Sequence, residues 1–226
     1  MSSTYEIEIK SLLGSKEKAD ELKQNISRLD PSVQLLNVNK QLNHYFVGGS
    51  LHDLFAAAAV HIDPAHLDQF NAVVEHGKTP SVRTRQTNDR VLLIVKASID
   101  DTTSSNGTAR LEFESQTPHL SLTELDALVR RAGYEYQAKW SREREEYSFR
   151  DLALCIDKNA GYGYIAEFEK VVDNPEHAGV TKDRIRLAMA ELGVEELSQD
   201  RLERMFAYYN EHWPKYYGTD NIFTVV

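Results

Sequence analysis

The hexapeptide Tyr5-Glu6-Ile7-Glu8-Ile9-Lys10 constrains the fold more than any other stretch of the chain. Apolar and charged side chains alternate along it, and successive side chains of a β-strand point to opposite faces. Tyr5, Ile7 and Ile9 therefore share one face, and Glu6, Glu8 and Lys10 share the other. A single strand of this kind is found in any antiparallel sheet with one wet face. The pattern gains meaning by recurring. Glu112-Phe113-Glu114 and Glu167-Phe168-Glu169 repeat it, with Leu111, Phe113, Ala166 and Phe168 on the apolar side. The basic residues obey the same rule in Arg83-Thr84-Arg85 and Arg142-Glu143-Arg144.

Composition limits what these charged faces can serve. The chain has 226 residues, enough for a sizeable core, and a formal net charge of −9. That balance disfavours generic nucleic-acid binding, which needs a basic footprint. One cysteine, Cys155, excludes an internal disulfide framework and a cysteine-rich metal site; set in the run Leu152-Ala153-Leu154-Cys155-Ile156, it reads as a small buried residue. The chain opens on no signal-like segment, and no apolar run approaches the ~20 residues of a membrane span. A soluble, cytoplasmic protein is expected.

Along the chain, strands alternate with amphipathic helices. Apolar residues at helical spacing predict helices over 15–29, 51–60, 64–76 and 121–132, and two more after Thr181 and Ser198. Ser121-Leu122-Thr123-Glu124 has the form of a capping box, and Asp63-Pro64 that of a cap followed by proline. Residues 81–98 predict a hairpin turning at Thr87-Asn88-Asp89. Residues 100–107 form a polar, Ser/Thr-rich loop, and the aromatic tail from Trp213 is expected to fold back on the body. No linker or domain boundary is evident.

Solvated sheet faces carrying surface ion pairs would produce the same pattern, and such pairs contribute only about 0–1 kcal/mol each. The alternative is a barrel turned inside out, with apolar faces under the helices and charged faces lining the bore. A bore holding carboxylates and cations together suits a polyphosphate and its metal. Carboxylate oxygens suit Mg²⁺ or Mn²⁺, and arginines clamp phosphate oxygens.

Glu6-Ile7-Glu8-Ile9-Lys10 resembles the N-terminal ExExK signature of the CYTH family, the triphosphate tunnel metalloenzymes. Ser81-Val82-Arg83-Thr84-Arg85 with Lys96 resembles the family's R-x-R hairpin and its lysine. Arg110-Leu111-Glu112-Phe113-Glu114 resembles the central E-x-E strand. Lys139, Arg142 and Arg144 ahead of Tyr147, then Asp157, Gly163 and Glu167-Phe168-Glu169, resemble the closing motifs. The order agrees over about residues 4–172, and the texture is closest to the class IV adenylyl cyclase branch.

The resemblance implies an α+β fold: one domain over 1–226, a closed antiparallel β-barrel of about eight strands with a charged interior and helices outside. The last segment, 180–226, would pack on it. It implies Mg²⁺ or Mn²⁺ as cofactor, a triphosphate-containing small molecule as partner and a homodimer as one oligomeric state. Glu6, Glu8, Glu112, Glu114, Asp157, Glu167 and Glu169 would hold metal or orient its water. Lys10, Arg83, Arg85, Lys96, Lys139, Arg142 and Arg144 would bind the triphosphate. Glu6, Glu8 and Lys10 would be the catalytic set.

Two departures stand out. Asn43-His44-Tyr45-Phe46 lacks the acidic residue the family often places there, and the helical excursion over 51–77 is long. His44 is read as a structural histidine. Lys96 also shares strand parity with Leu92 and Ile94. The expected activity is metal-dependent hydrolysis of inorganic, nucleoside or thiamine triphosphate. The alternatives are an adenylyl cyclase, with Tyr45, Phe46 and Trp140 as candidate base-stacking residues, and a non-catalytic polyphosphate or nucleotide binder.

Overall fold

The structure is a computed structural model; it describes residues 5–98 and 110–224, and for Tyr5, Glu6, Arg110 and Pro175 the backbone only. The polar loop expected over 100–107 lies outside the described residues. The described residues form eight strands: β1 (Tyr5–Gly14), β2 (Gln34–Gly48), β3 (Lys78–Thr87), β4 (Arg90–Ser98), β5 (Arg110–Gln116), β6 (Tyr134–Phe149), β7 (Leu152–Asn159) and β8 (Gly163–Val172). Six α-helices accompany them: α1 (Lys16–Leu29), α2 (Leu51–Ala58), α3 (Leu67–His76), α4 (Leu122–Arg131), α5 (Ala178–Leu192) and α6 (Gln199–His212). The strands form one sheet in the order β1-β8-β7-β6-β2-β3-β4-β5. The expected α+β architecture is therefore present. The recorded pairings leave β1 and β5 at the two ends of that order rather than closing a barrel.

The chain folds as two compact units, residues 1–39 with 141–226, and residues 40–140. In the first, α1 and α5 cover one face of the sheet. Ile7 and Ile9 of β1, Leu154 and Ile156 of β7, and Ala166 and Phe168 of β8 pack there against Leu22, Ile26, Ile185 and Met189. These are the alternate residues that periodicity assigns to the apolar face. Ser15 caps α1 through Lys18 N. Thr181 was expected to cap α5, but the helix begins at Ala178 after a 3-10 turn, and Thr181 is buried inside it. The aromatic tail folds back as expected: Phe223 meets Tyr162 at 4.9 Å and Tyr208 at 5.0 Å, and its amide donates to Gly161 O.

In the second unit, α2, α3 and α4 cover one face of the sheet. Phe46, Val82, Leu93, Val95 and Phe113 pack against Leu54, Phe70, Val73, Leu125 and Val129. The 51–77 excursion thus closes this core, with Phe70 stacked on Phe113 at 4.2 Å. Asp63 caps the short turn 64–66 rather than a long helix, and α3 follows from Leu67. The capping box at Ser121 and Glu124 forms as read, with both reciprocal bonds present.

Gly163 opens β8 at φ +74, and a Cβ there would lie 2.1 Å from Gly14 O. The ends of β1 and β8 depend on that close approach. Gly163→Ala should therefore lower stability by about 1–3 kcal/mol from the left-handed backbone alone, and further from the backbone clash. Thermal melting checks this; an unchanged Tm would show that the hairpin relaxes freely.

Candidate functional site

The face of the first unit turned away from α1 and α5 carries ordered cross-strand rows. Lys10 of β1 pairs with Glu167 of β8, Glu167 with Cys155 of β7, and Cys155 with Glu146 of β6. On one side lies the row Glu8, Glu169, Ala153, Ser148; on the other, Leu12, Ile165, Asp157, Arg144. The side chains connect these rows. Lys10 Nζ donates to Glu167 Oε1 (2.9 Å) and to Glu8. Arg144 grips Asp157 with two bonds, Nε to Oδ1 (2.7 Å) and Nη2 to Oδ2 (2.6 Å), and also contacts Glu167. Arg142 reaches Asp157 Oδ2 at 3.2 Å. A backbone bond from Leu197 N to Lys10 O (2.7 Å) fixes the strand at the lysine.

Burial sharpens the electrostatics. Asp157 is fully buried, so its two oxygens act as an arginine holder. Burial pushes the Glu167 carboxyl up, but the charges of Lys10, Arg144 and Arg142 outweigh it and leave it well below the ordinary carboxylate range. The Lys10 ammonium is pulled down by burial and raised further by Glu167 and Glu8, so it stays protonated. Burial pushes the Cys155 thiol up to about 12, against the pull of Arg144. Cys155 is buried as expected, but on the charged face, where its protonated thiol is no nucleophile.

The second unit builds its own charged face. Its rows read Asn43, Arg85, Leu92, Gln116; then Tyr45, Arg83, Ile94, Glu114; then Ser81, Lys96, Glu112. Leu92 and Ile94 do share this face with Lys96, as strand parity requires. Lys96 Nζ lies 2.8 Å from Glu112, and Arg85 Nη1 lies 3.8 Å from Glu114. Arg85 donates from Nε to Asn43 Oδ1 (2.8 Å), and Arg83 from Nη1 to Tyr45 Oη (2.7 Å).

Most of the sequence-predicted residues thus fall into two groups. Glu8, Lys10, Arg142, Arg144, Asp157, Glu167 and Glu169 belong to the first unit, and Arg83, Arg85, Lys96, Glu112 and Glu114 to the second. The Glu6 side chain lies outside the described residues; its backbone pairs with Val171. Lys139 is placed differently from the arginines it was grouped with: its ammonium sits 4.0 Å from the centroid of the Tyr136 ring. Phe46 is buried against Tyr136 at 4.9 Å, which removes it as a base-stacking surface.

Four residues went unread in the roles the structure gives them. Glu146 lies on the charged face, accepting from Asn39 (3.3 Å), and its parity with Arg142 and Arg144 was the available signal. Asn43 was noted only within a departure, and Tyr45 there and as a candidate base-stacking residue, yet they hold the arginines. Asp126 of α4 carried no signal at all. On the helix-facing side of the second unit, it takes Thr84 Oγ1, Tyr136 Oη and His44 Nδ1, each at 2.6 Å. Burial pushes its carboxyl up, and these three bonds more than offset that, leaving it below the ordinary range. His44 is structural, as read.

Among the described residues, no group of three or more histidine, cysteine or carboxylate side chains is gathered to hold a metal ion. Glu8 and Glu169 are nevertheless direct cross-strand partners. Like charges so placed repel; the Lys10 ammonium bonded to Glu8 offsets part of that repulsion, and a divalent cation would offset more. Mg²⁺ commonly takes one or two carboxylates together with substrate phosphates, so this all-oxygen pair fits such an ion.

No family model matches the sequence, and no curated protein matches it. Solved structures do match. A protein of Pyrococcus horikoshii OT3, PH1819, is 19% identical with a TM-score of 0.57, over 90% of this chain and 99% of that one. A proposed adenylate cyclase from Vibrio parahaemolyticus is 13% identical with a TM-score of 0.56, over 90% and 98%. The proposed adenylyl cyclase HpAC1 from Hippeastrum, with a dominant triphosphatase activity, is 19% identical with a TM-score of 0.50, over 92% and 96%. The chain shares the fold of these proteins. No helix among the described residues is long and apolar enough to cross a membrane.

Removing Glu167 should expose the ion cluster's energetics. Its depressed carboxyl stabilises the fold above the unfolded value of about 4.3, and that contribution fades as pH falls through the lower folded-state value. Glu167→Gln should cost about 3 kcal/mol at neutral pH, the lower end for breaking a buried ion pair. The gap from wild type should begin to narrow below about pH 4 and close only as pH falls through the folded-state value of about 2. Denaturant titration at several pH values reads this, and a gap independent of pH would refute the assignment.

Proposed function

We propose that this protein is a CYTH-type enzyme that hydrolyses a triphosphate-containing substrate with the help of Mg²⁺ or Mn²⁺. The observation that carries this reading is the charged face of each unit. In both, carboxylates and cations interleave on the side of the sheet opposite the helix-packed core. Surface ion pairs alone would not need Glu167 and three cations gathered, half-buried, around the fully buried Asp157.

Arg83, Arg85 and Lys96 bind phosphate oxygens, the arginines by their forked donors and the lysine as a point charge. Lys10, Arg142 and Arg144 neutralise charge that develops on the transferred and leaving phosphates, where preorganised cations act most strongly. Asp157 and Glu167 keep those cations aimed, so that none has to reorganise as the reaction proceeds. Glu8 and Glu169, with Glu6, Glu112 and Glu114, are the residues that would hold the divalent cation. When bound, the cation supplies charge neutralisation of the phosphate oxygens and lowers the pKa of its water. The dominant triphosphatase activity of HpAC1 favours hydrolysis over cyclisation for a chain of this fold.

A product assay separates the readings. The protein is incubated with ATP, inorganic triphosphate or thiamine triphosphate, each with Mg²⁺ or Mn²⁺. Orthophosphate release is expected, and removal of the divalent ion with EDTA should abolish it. Cyclic AMP with pyrophosphate would replace the proposal by a cyclase, and binding without turnover by a non-catalytic binder. Arg85→Ala should weaken triphosphate binding about 10- to 100-fold, the worth of one charged hydrogen bond, with the melting temperature retained. Unchanged binding would overturn the site.

A further inference from the structure

On the helix-packed side of the first unit, opposite its charged face, a cavity of about 310 Å³ opens between α5 and the turn that joins β6 to β7. Its volume falls at the lower end of small-molecule pockets, which combine an apolar lining with a few placed polar groups. Leu152 and Ala188 form a buried apolar wall, and Leu187, 63% exposed, extends it to the surface. Three cations, Arg150, Lys170 and Arg184, line the cavity against one carboxylate, Asp151. That balance runs against a chain whose net charge is −9. Arg150 Nη2 meets Glu191 Oε2 at 2.7 Å, and Lys170 Nζ meets Asp151 Oδ2 at 2.5 Å. Both are surface pairs of the kind that contributes only about 0–1 kcal/mol, so either cation can turn to a ligand at small cost. Arg184 is exposed and enters no ion pair among the described residues. The hydrogen bond from Lys170 holds the Asp151 carboxyl below the ordinary carboxylate range, and the Arg184 charge adds to that pull.

The backbone at Arg150 is an independent sign. β6 and β7 join through a two-residue loop, Arg150-Asp151, closed by the pair Phe149 and Leu152. Arg150 takes φ +54, a left-handed conformation that costs a residue with a Cβ about 1–3 kcal/mol. Two-residue hairpin loops favour glycine or asparagine at such positions. Here a long cationic side chain is kept instead. Its amide donates to Asp30 Oδ2 (2.8 Å), and its guanidinium carbon lies 4.9 Å from the centroid of the Phe149 ring. We propose that this cavity binds a small organic anion, a carboxylate or phosphate group carried on a compact apolar body. The head group meets Arg184 and Arg150, whose forked donors match either oxyanion, and Lys170 as a point charge. The body lies on Leu152, Leu187 and Ala188. Lys170 shares strand parity with Phe168, not with Glu167 and Glu169. The site is therefore separate from the face assigned to the triphosphate and does not depend on that assignment.

The full-length, isotope-labelled protein is titrated by NMR with phenyl phosphate, benzoate, inorganic phosphate and benzyl alcohol. At least one of the two organic anions should shift the amides of residues 150–152, 170 and 181–188 to saturation. It should bind there at least tenfold more tightly than inorganic phosphate, which lacks the apolar body, and benzyl alcohol, which lacks the charge. Comparing phenyl phosphate with benzoate identifies the preferred head group. Arg184→Gln changes an exposed side chain, so the melting temperature should be retained while that binding weakens about tenfold, the worth of one hydrogen bond to a charged group. Leu187→Ser removes apolar wall and no charge, and should weaken it several-fold. The absence of shifts with either organic anion, or shifts confined to the charged face around Lys10 and Arg144, would overturn the proposal. So would equal affinity for inorganic phosphate or benzyl alcohol, or wild-type binding by Arg184→Gln.

Discussion

A β-ladder puts odd and even side chains on opposite faces, and everything else here follows from that constraint. Once Ile7, Ile9, Ala166 and Phe168 are buried under α1 and α5, Glu8, Lys10, Glu167 and Glu169 have no choice of side. The same holds in the second unit, where burying Val82, Val95 and Phe113 commits Arg83, Arg85, Lys96, Glu112 and Glu114 to the other face. The helices thus select the register. A slip of one residue would bury charges beneath them at a cost no hydrophobic contact could offset.

Parity also explains how much of the site was legible. Alternation identified the charged faces and most of their members before any fold was known. It even gave the awkward result that Leu92 and Ile94 share a face with Lys96. What it could not give were contacts set by tertiary packing. Asp126 lies on α4, far in sequence from His44 and Thr84, and only the docking of that helix brings them together. Lys139 shows the limit within a strand: it follows Tyr136, whose ring packs with the second unit's core, while Arg142 and Arg144 belong to the first. The division into two units left no trace in composition, because β2 and β6 contribute to both without a linker. Cys155 was legible as buried but not as facing Glu167, since a lone cysteine in an apolar run carries no sign of which face it joins.

The electrostatic contrast between the units has a physical consequence. Among the described residues of the first unit's charged face, five carboxylates (Glu8, Glu146, Asp157, Glu167 and Glu169) meet three cations (Lys10, Arg142 and Arg144). Asp157 and Glu167 are taken up in holding those cations. A polyanion approaching this face meets charge already balanced or in negative excess, and gains little from it without added positive charge. In the second unit, side-chain bonds of the arginine pair go to a carboxamide and a phenol.

A division of labour follows from this difference. Uniform binding by both faces would hold ground state and transition state alike and would not accelerate the chemistry. Cations tied to buried carboxylates, as Arg144 is to Asp157, cannot swing out to chase a ground-state phosphate, but they stabilise charge that develops where they already point. On the proposed triphosphatase reading, the first unit's cations suit charge that develops during reaction. The asymmetry lies in the partners of the cations rather than in the cations themselves, which is why counting lysines and arginines along the sequence does not reveal it.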